Sequence, residues 1–299
     1  MSEVNLVLQI INGLQIGSIY ALVALGYTMV YGIALLINFA HGEIIMVGAY
    51  TTVFAIQLVL SKSGLPLYLA IIPSVIVCTL LGIIIERFAY RPLRNSPRIA
   101  NLITAIGVSL LLQNLVMKIF GAESIAVSPI FEGNAISTAS ISISKTTLFT
   151  ILITVVLTIA LQLFMKKTKY GKAMVATSED YGAAELVGIS VDNTLTMTFA
   201  IGSALAGVAA VLYVSAYPQT TQPLMGSMLG IKAFTAAVVG GIGLIPGAVL
   251  GGLILGVVEA LTTAYISSRL TNAIVFGLLI VVLLIKPTGL LGKNLKEKV

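Results

Sequence analysis

Residues 4–40 read VNLVLQIINGLQIGSIYALVALGYTMVYGIALLINFA, 37 positions without one Asp, Glu, Lys or Arg. A bilayer core of ~30 Å is crossed by ~20 apolar residues in helical form. The run therefore exceeds one straight crossing, and its tail must do something other than extend the helix. It closes on Asn38-Phe39-Ala40-His41-Gly42-Glu43, where ionisable side chains return.

The rest of the chain repeats this pattern. Further uncharged runs cover 44–61, 63–85, 99–117, 146–165, 193–231, 233–258 and 270–285. The chain is 58% hydrophobic and 9% charged, with a mean hydropathy of +1.06. A soluble domain is about 25% charged. So little charge cannot coat a water-facing surface, so the solvent is lipid. In lipid the backbone must satisfy itself, and long unbroken runs fit helices rather than barrel strands. The reading is an all-α, polytopic transmembrane helical bundle of eight or nine spans, forming one membrane domain over 1–299. The sequence opens on Met-Ser-Glu without a basic leader, so the first run is expected to stay as a span. The one cysteine, Cys78, excludes a disulfide framework and reads as a small packing residue.

Basic residues fall in three clusters: Arg87, Arg91, Arg94 and Arg98; Lys166, Lys167, Lys169 and Lys172; and Lys286, Lys293, Lys296 and Lys298. Short basic loops stay cytoplasmic. The net charge of +6 thus reports orientation and not nucleic-acid binding. With all three clusters on one side, 67–88 runs inward, 44–60 outward, 99–119 outward and 147–165 inward. His41 and Glu43 then lie at the inner end of the first run. The external segment 121–145 holds an alternating stretch, Ala135–Ser144, that reads as extended. After the polar loop, 194–216 runs out, 246–264 runs out again, and about 270–286 ends inside. Something within 225–245 must carry the chain back in.

That returning piece holds Gly226, Gly230, Gly240, Gly241, Gly243 and Gly247, with Pro246. Glycine and proline oppose helix interiors. A short helix over Ser227–Val239, a non-helical turn and a new span follow from this. Non-helical backbone at membrane depth survives only when buried in protein or lining a cavity, and broken helices mark substrate sites in transporters. The N-terminus of such a helix near Ser227–Gly230 would present its positive dipole end to an anionic group. Gly42 with Gly48-Ala49 and Gly241 with Gly247-Ala248 show a weak echo of spacing, as of two loosely similar halves meeting at their breaks. Candidate pathway residues are Asn38, His41, Glu43, Gly240, Gly241, Gly243 and Pro246. Lys232 and Glu259 are isolated charges within apolar runs, and a mutual pair is one reading of them.

The polar island 166–192 carries 8 of the chain's charged residues (17 basic, 11 acidic). Ser178 reads as an N-cap, Glu179 and Asp180 as a first turn, and Gly188 as a stop, giving a short helix at 179–187. Ala183, Ala184 and Val187 give it a small apolar face. A helix of under three turns needs something to dock on. The candidates are this chain's own loops or a cytosolic partner.

Lys169–Ile189 with the small-residue span Phe199–Gly207, the segment Gly26–Gly32 through Asn38–Glu43 and Gly48-Ala-Tyr50, and Gly240-Gly-Ile-Gly243 with Pro246-Gly247 resemble branched-chain amino-acid ABC transporter permeases. The pattern is most similar to the first permease subunit of the high-affinity leucine/isoleucine/valine import system. The resemblance implies a permease subunit of an ATP-driven importer in the bacterial cytoplasmic (inner) membrane. It implies a second permease subunit, two cytoplasmic ABC ATPases and a substrate-binding protein as partners, with membrane lipid around them. It implies ATPase coupling through Lys169, Gly171, Lys172, Glu179, Asp180, Ala183, Ala184 and Gly188. Val175 stands where relatives often carry a basic residue.

The residues agree on one point. No Gly-x-x-x-x-Gly-Lys-Ser/Thr loop is present, since Gly171-Lys172 lacks both the earlier glycine and the hydroxyl, so ATP is used in trans. No cofactor, metal or catalytic residue is expected on a chain with one His and one Cys. A permease for another amino acid, an amide or urea stays open, as does a self-sufficient channel or ion-driven carrier.

Overall fold

A computed structural model of the chain describes residues 3–94, 96–137 and 142–292. The tail lysines Lys293, Lys296 and Lys298, part of the extended stretch (138–141) and the side chain of Arg98 lie outside the described residues. The helices are α1 (Glu3–Ala34), α2 (His41–Ser63), α3 (Leu67–Leu93), α4 (Arg98–Phe120), α5 (Lys145–Lys167), α6 (Lys169–Glu179), α7 (Tyr181–Leu186), α8 (Val191–Ala216), α9 (Met225–Gly240), α10 (Ile245–Tyr265) and α11 (Thr271–Ile285). Seven of the described helices are long and apolar enough to span a membrane, and α9 and α11 are shorter. The expected external extended stretch is a small antiparallel pair, β1 (Asn134–Ser137) with β2 (Ser142–Ser144).

Helices α1, α2, α8, α9 and α10 form the centre. Within its most apolar stretch α8 is 72% buried, against 17% for α5. Residues Ile103, Leu111 and Ile119 of α4 and Leu152 and Val156 of α5 remain exposed, as a lipid-facing surface requires. Helix association in lipid gains nothing from hydrophobic burial, so close packing of small residues holds the centre together. A Cβ placed on Gly256 would lie 2.2 Å from the Gly17 nitrogen, and one on Gly252 2.6 Å from the Ala21 nitrogen. The backbones of α1 and α10 are therefore in contact. Helix α8 meets α3 the same way, with Ser74 donating to the Gly207 carbonyl at 3.0 Å and the Gly48 carbonyl at 3.2 Å. Cys78, a buried packing residue as expected, donates to the Ile44 carbonyl at 3.3 Å.

Among the described residues, charges inside the bundle are paired except at Glu43. Lys232 Nζ meets Glu259 Oε1 at 2.6 Å, and the Tyr20 hydroxyl donates to Glu259 Oε2 at 2.7 Å. This tethers α9 to both α10 and α1, and it is the mutual pair read from the sequence. Glu86, buried at the inner end of α3, meets Arg94 at 2.5 Å and accepts from Thr196 at 2.7 Å. Arg91 and Arg94 also hold Asp192 at the start of α8.

Gly256→Ala should lower the stability of the purified protein by about 1–3 kcal/mol, the usual range for an overpacked contact. Gly277→Ala on α11, where a Cβ meets nothing within 4 Å, should leave the thermal midpoint in place. Lys232→Met should destabilise by about 1–3 kcal/mol because it leaves the partly buried Glu259 carboxylate with only its Tyr20 hydrogen bond, and adding Glu259→Leu should recover part of the loss. Unfolding of the three single variants and the double variant in detergent measures these effects.

Candidate functional site

Helix α1 stops at Ala34, and residues 35–40 are not helical. Leu35 adopts φ 53°, left-handed backbone that costs a non-glycine residue about 1–2 kcal/mol. The chain then turns back into the bundle. Asn38 shapes that turn: its Oδ1 accepts from the Ala40 amide at 3.1 Å and from the Tyr90 hydroxyl at 2.9 Å. His41, the first residue of α2, sits over Gly26, where a Cβ would lie 2.2 Å from its Nε2. Gly26 precedes the end of α1 by eight residues, so the return lifts His41 by ~12 Å along α1. The sequence reading placed His41 and Glu43 at the inner end of the first run. The left-handed turn and the return loop bring them up to the level of Gly26 instead.

The start of α2 meets the start of α9. A Cβ on Gly42 would lie 2.3 Å from the Gly226 carbonyl oxygen, and one on Gly226 2.5 Å from that of Gly42. Two broken helices do converge, but the glycines in contact are Gly42 and Gly226. His41 packs edge-to-face on Tyr27 with ring centroids 4.9 Å apart, in a group that also holds Phe39 and Phe234.

Glu43 lies at this junction and is fully buried. Its Oε1 accepts from Gln113 Nε2 at 2.7 Å, Ser227 Oγ at 3.0 Å and Ser109 Oγ at 3.2 Å. Its Oε2 has no hydrogen-bond partner and points at Gly226, where a Cβ would lie 2.6 Å away. The carboxylate at the N-terminus of α9 is thus the protein's own, and it already answers the helix dipole that was expected to face an anionic group. A cavity of about 450 Å³ opens beside it, lined by Glu43, Gln113, Ser109 and Ser227 and by apolar residues of α4 and α9. Ser109 and Gln113 escaped the sequence reading. Two polar residues four apart in the uncharged run 99–117 mark one face of a helix and were the signal to follow.

The glycine-rich turn lies elsewhere, at the inner end. The predicted break after Val239 falls at Gly241, with φ 113°, and Pro246 stands in the first turn of α10. A Cβ on Gly240 would lie 1.8 Å from the Gly247 carbonyl oxygen, and one on Gly243 3.7 Å from the Gly32 Cα. The Leu290 and Leu291 amides donate to the Val239 and Gly240 carbonyls. Gly240 and Gly241 are thus packed against backbone, Gly243 and Pro246 are exposed, and none of the four joins Asn38, His41 and Glu43.

The island 166–192 forms two helices where the sequence reading had one. Thr168 caps α6 by accepting from the Gly171 amide at 2.9 Å, and Asp180 caps α7 by accepting from the Ala183 amide at 2.9 Å. Ser178 does not cap, because its hydroxyl donates back to the Val175 carbonyl at 2.7 Å. Glu179 therefore ends α6 and does not open a helix, and α7 stops at Leu186 before Gly188 with φ 85°. The predicted apolar face is split. Gly171, Met174 and Ala184 are buried against the chain, whereas Lys169, Lys172, Asp180 and Ala183 face outward. Leu186 is 90% exposed and Val187 74%. The Tyr181 hydroxyl donates to the Ile33 carbonyl at 3.3 Å, joining α7 to the last turn of α1.

A family profile described as branched-chain amino acid transport system / permease component matches residues 9–284. The high-affinity branched-chain amino acid transport system permease protein LivH of Salmonella typhimurium is 46% identical over 97% of this chain and 97% of its own length. The corresponding protein BraD of Pseudomonas aeruginosa is 45% identical over the same shares, and the probable LivH of Methanocaldococcus jannaschii 32% over 94% and 90%. With its broken helices, return loop and polar island all inside the matched region, the chain belongs to the permease family of branched-chain amino acid transport systems.

Proposed function

We propose that this chain is a permease subunit of an ATP-driven importer that carries leucine, isoleucine and valine across the bacterial inner membrane. The full-length match to relatives named for that transport supports the reading. ATP is hydrolysed by two partner ATPases, a second permease subunit completes the membrane part, and an external binding protein delivers the substrate. The chain itself binds no cofactor and performs no chemistry.

The mechanism is alternating access. ATPase closure pushes on α6 and α7 through their outward residues, with Leu186 and Val187 as the apolar contact and Lys169 and Lys172 as the charges. The push reaches the last turn of α1 through Tyr181, and from there loop 35–40 and the start of α2. Asn38, His41 and Glu43 then move relative to α9 and open or shut the path. Gly240, Gly241, Gly243 and Pro246 keep α9 and α10 together during the stroke.

Reconstitution tests this reading. The chain alone in liposomes should not accumulate labelled leucine, whereas the complex with partner permease, ATPases, binding protein and ATP should. Leu186→Cys should crosslink to an ATPase subunit, and Leu186→Asp should cut uptake about tenfold or more while the permease stays in the membrane, since this side chain is 90% exposed among the described residues. Leucine accumulation by the lone chain would overturn the proposal.

A further inference from the structure

Three carboxylates lie inside the bundle among the described residues: Glu43, Glu86 and Glu259. Glu86 has Arg94 and Glu259 has Lys232. Glu43 meets no cationic side chain among the described residues, and its Oε2 lacks even a hydrogen-bond donor. A buried anion is retained only where something offsets its desolvation. The α9 dipole and three neutral donors on Oε1 do part of this. They leave a buried carboxyl group, its Oε2 without a donor, among the residues that line a cavity large enough for an amino acid.

We propose that Glu43 receives the α-ammonium group of the transported amino acid, with the ligand's aliphatic side chain lying along Leu102, Ile106 and Ile231. This rests on the reading of the chain as an amino-acid permease and assigns the substrate subsite within it. The neighbours can change role to suit an ammonium ion. The hydroxyls of Ser109 and Ser227 accept as well as donate, and the amide of Gln113 carries an acceptor oxygen beside the nitrogen now turned to Glu43. One carboxylate, two hydroxyls and an amide oxygen match a group with three N–H donors. Leu102, Ile106 and Ile231, on α4 and α9, supply the apolar wall of the same cavity. A ligand carboxylate is disfavoured at this point, because Glu43 already occupies the start of α9.

The test is binding of labelled leucine to the complex of permeases and ATPases in nanodiscs, without the binding protein and its own selectivity. Isopentylamine, which keeps the ammonium, should displace leucine, and 2-hydroxy-4-methylpentanoate, which lacks it, should not. Glu43→Gln should weaken leucine binding about tenfold or more, the usual effect of losing a charged hydrogen bond, and Glu43→Asp should weaken it less. Equal competition by the hydroxy acid, unchanged affinity in Glu43→Gln, or no leucine binding to the unaltered complex would overturn the subsite. If Glu43→Gln does not assemble, the competition in the unaltered protein decides. Leucine uptake by the unaltered importer is measured in parallel. Uptake combined with ammonium-blind competition rejects this subsite alone, and absence of uptake rejects the transport reading.

Discussion

Two helices begin inside this bundle at one point, and they meet there because neither carries a side chain at the contact. Gly42 and Gly226 place backbone on backbone. Irregular chain at membrane depth has to be enclosed by protein, and that requirement organises the centre. It calls for the turn at Leu35, the Asn38 oxygen that holds the Ala40 amide, and the aromatic group around His41. It also fixes Glu43 one residue beyond the crossing, where the first turns of both helices favour negative charge.

The same economy of space runs through the remaining contacts. Helices α1 and α10 touch through glycines 13, 17, 252 and 256, and α3 touches α8 through Gly82 and Gly207. Polar groups are spent on joining elements that small residues alone would leave free to slide. Lys232, Glu259 and Tyr20 connect three helices, and Arg94 connects α3 to α8 through Glu86 and Asp192. At the inner surface one tyrosine hydroxyl links α7 to α1.

Much of this was legible in the sequence because lipid permits few alternatives. Uncharged runs marked the spans, and the span edges moved by only a few residues. Glycine and proline marked the break between α9 and α10. Depth was not legible, because the rise of loop 35–40 depends on Leu35 taking a left-handed conformation that nothing in its residue type announces. Ser178 misled the reading of the island, since a serine hydroxyl can bond backward to a carbonyl as well as forward to an amide. Asp180, two residues on, was the cap. The partners of Glu43 come from α4 and α9, 66 to 184 residues away, and such convergence is a tertiary fact. The glycines read as pathway candidates near 240 lie at the inner turn, where Gly240 and Gly241 pack closely on backbone.

The ion pair between Lys232 and Glu259 also divides the cavity beside Glu43 into unlike walls. Helix α9 is joined to α10 and α1 through Lys232, Glu259 and Tyr20. Helix α4 leans on the bundle lightly and shows lipid most of its flank. The cavity thus has one wall tied into the bundle by an ion pair and another whose helix is only 22% buried along its most apolar stretch.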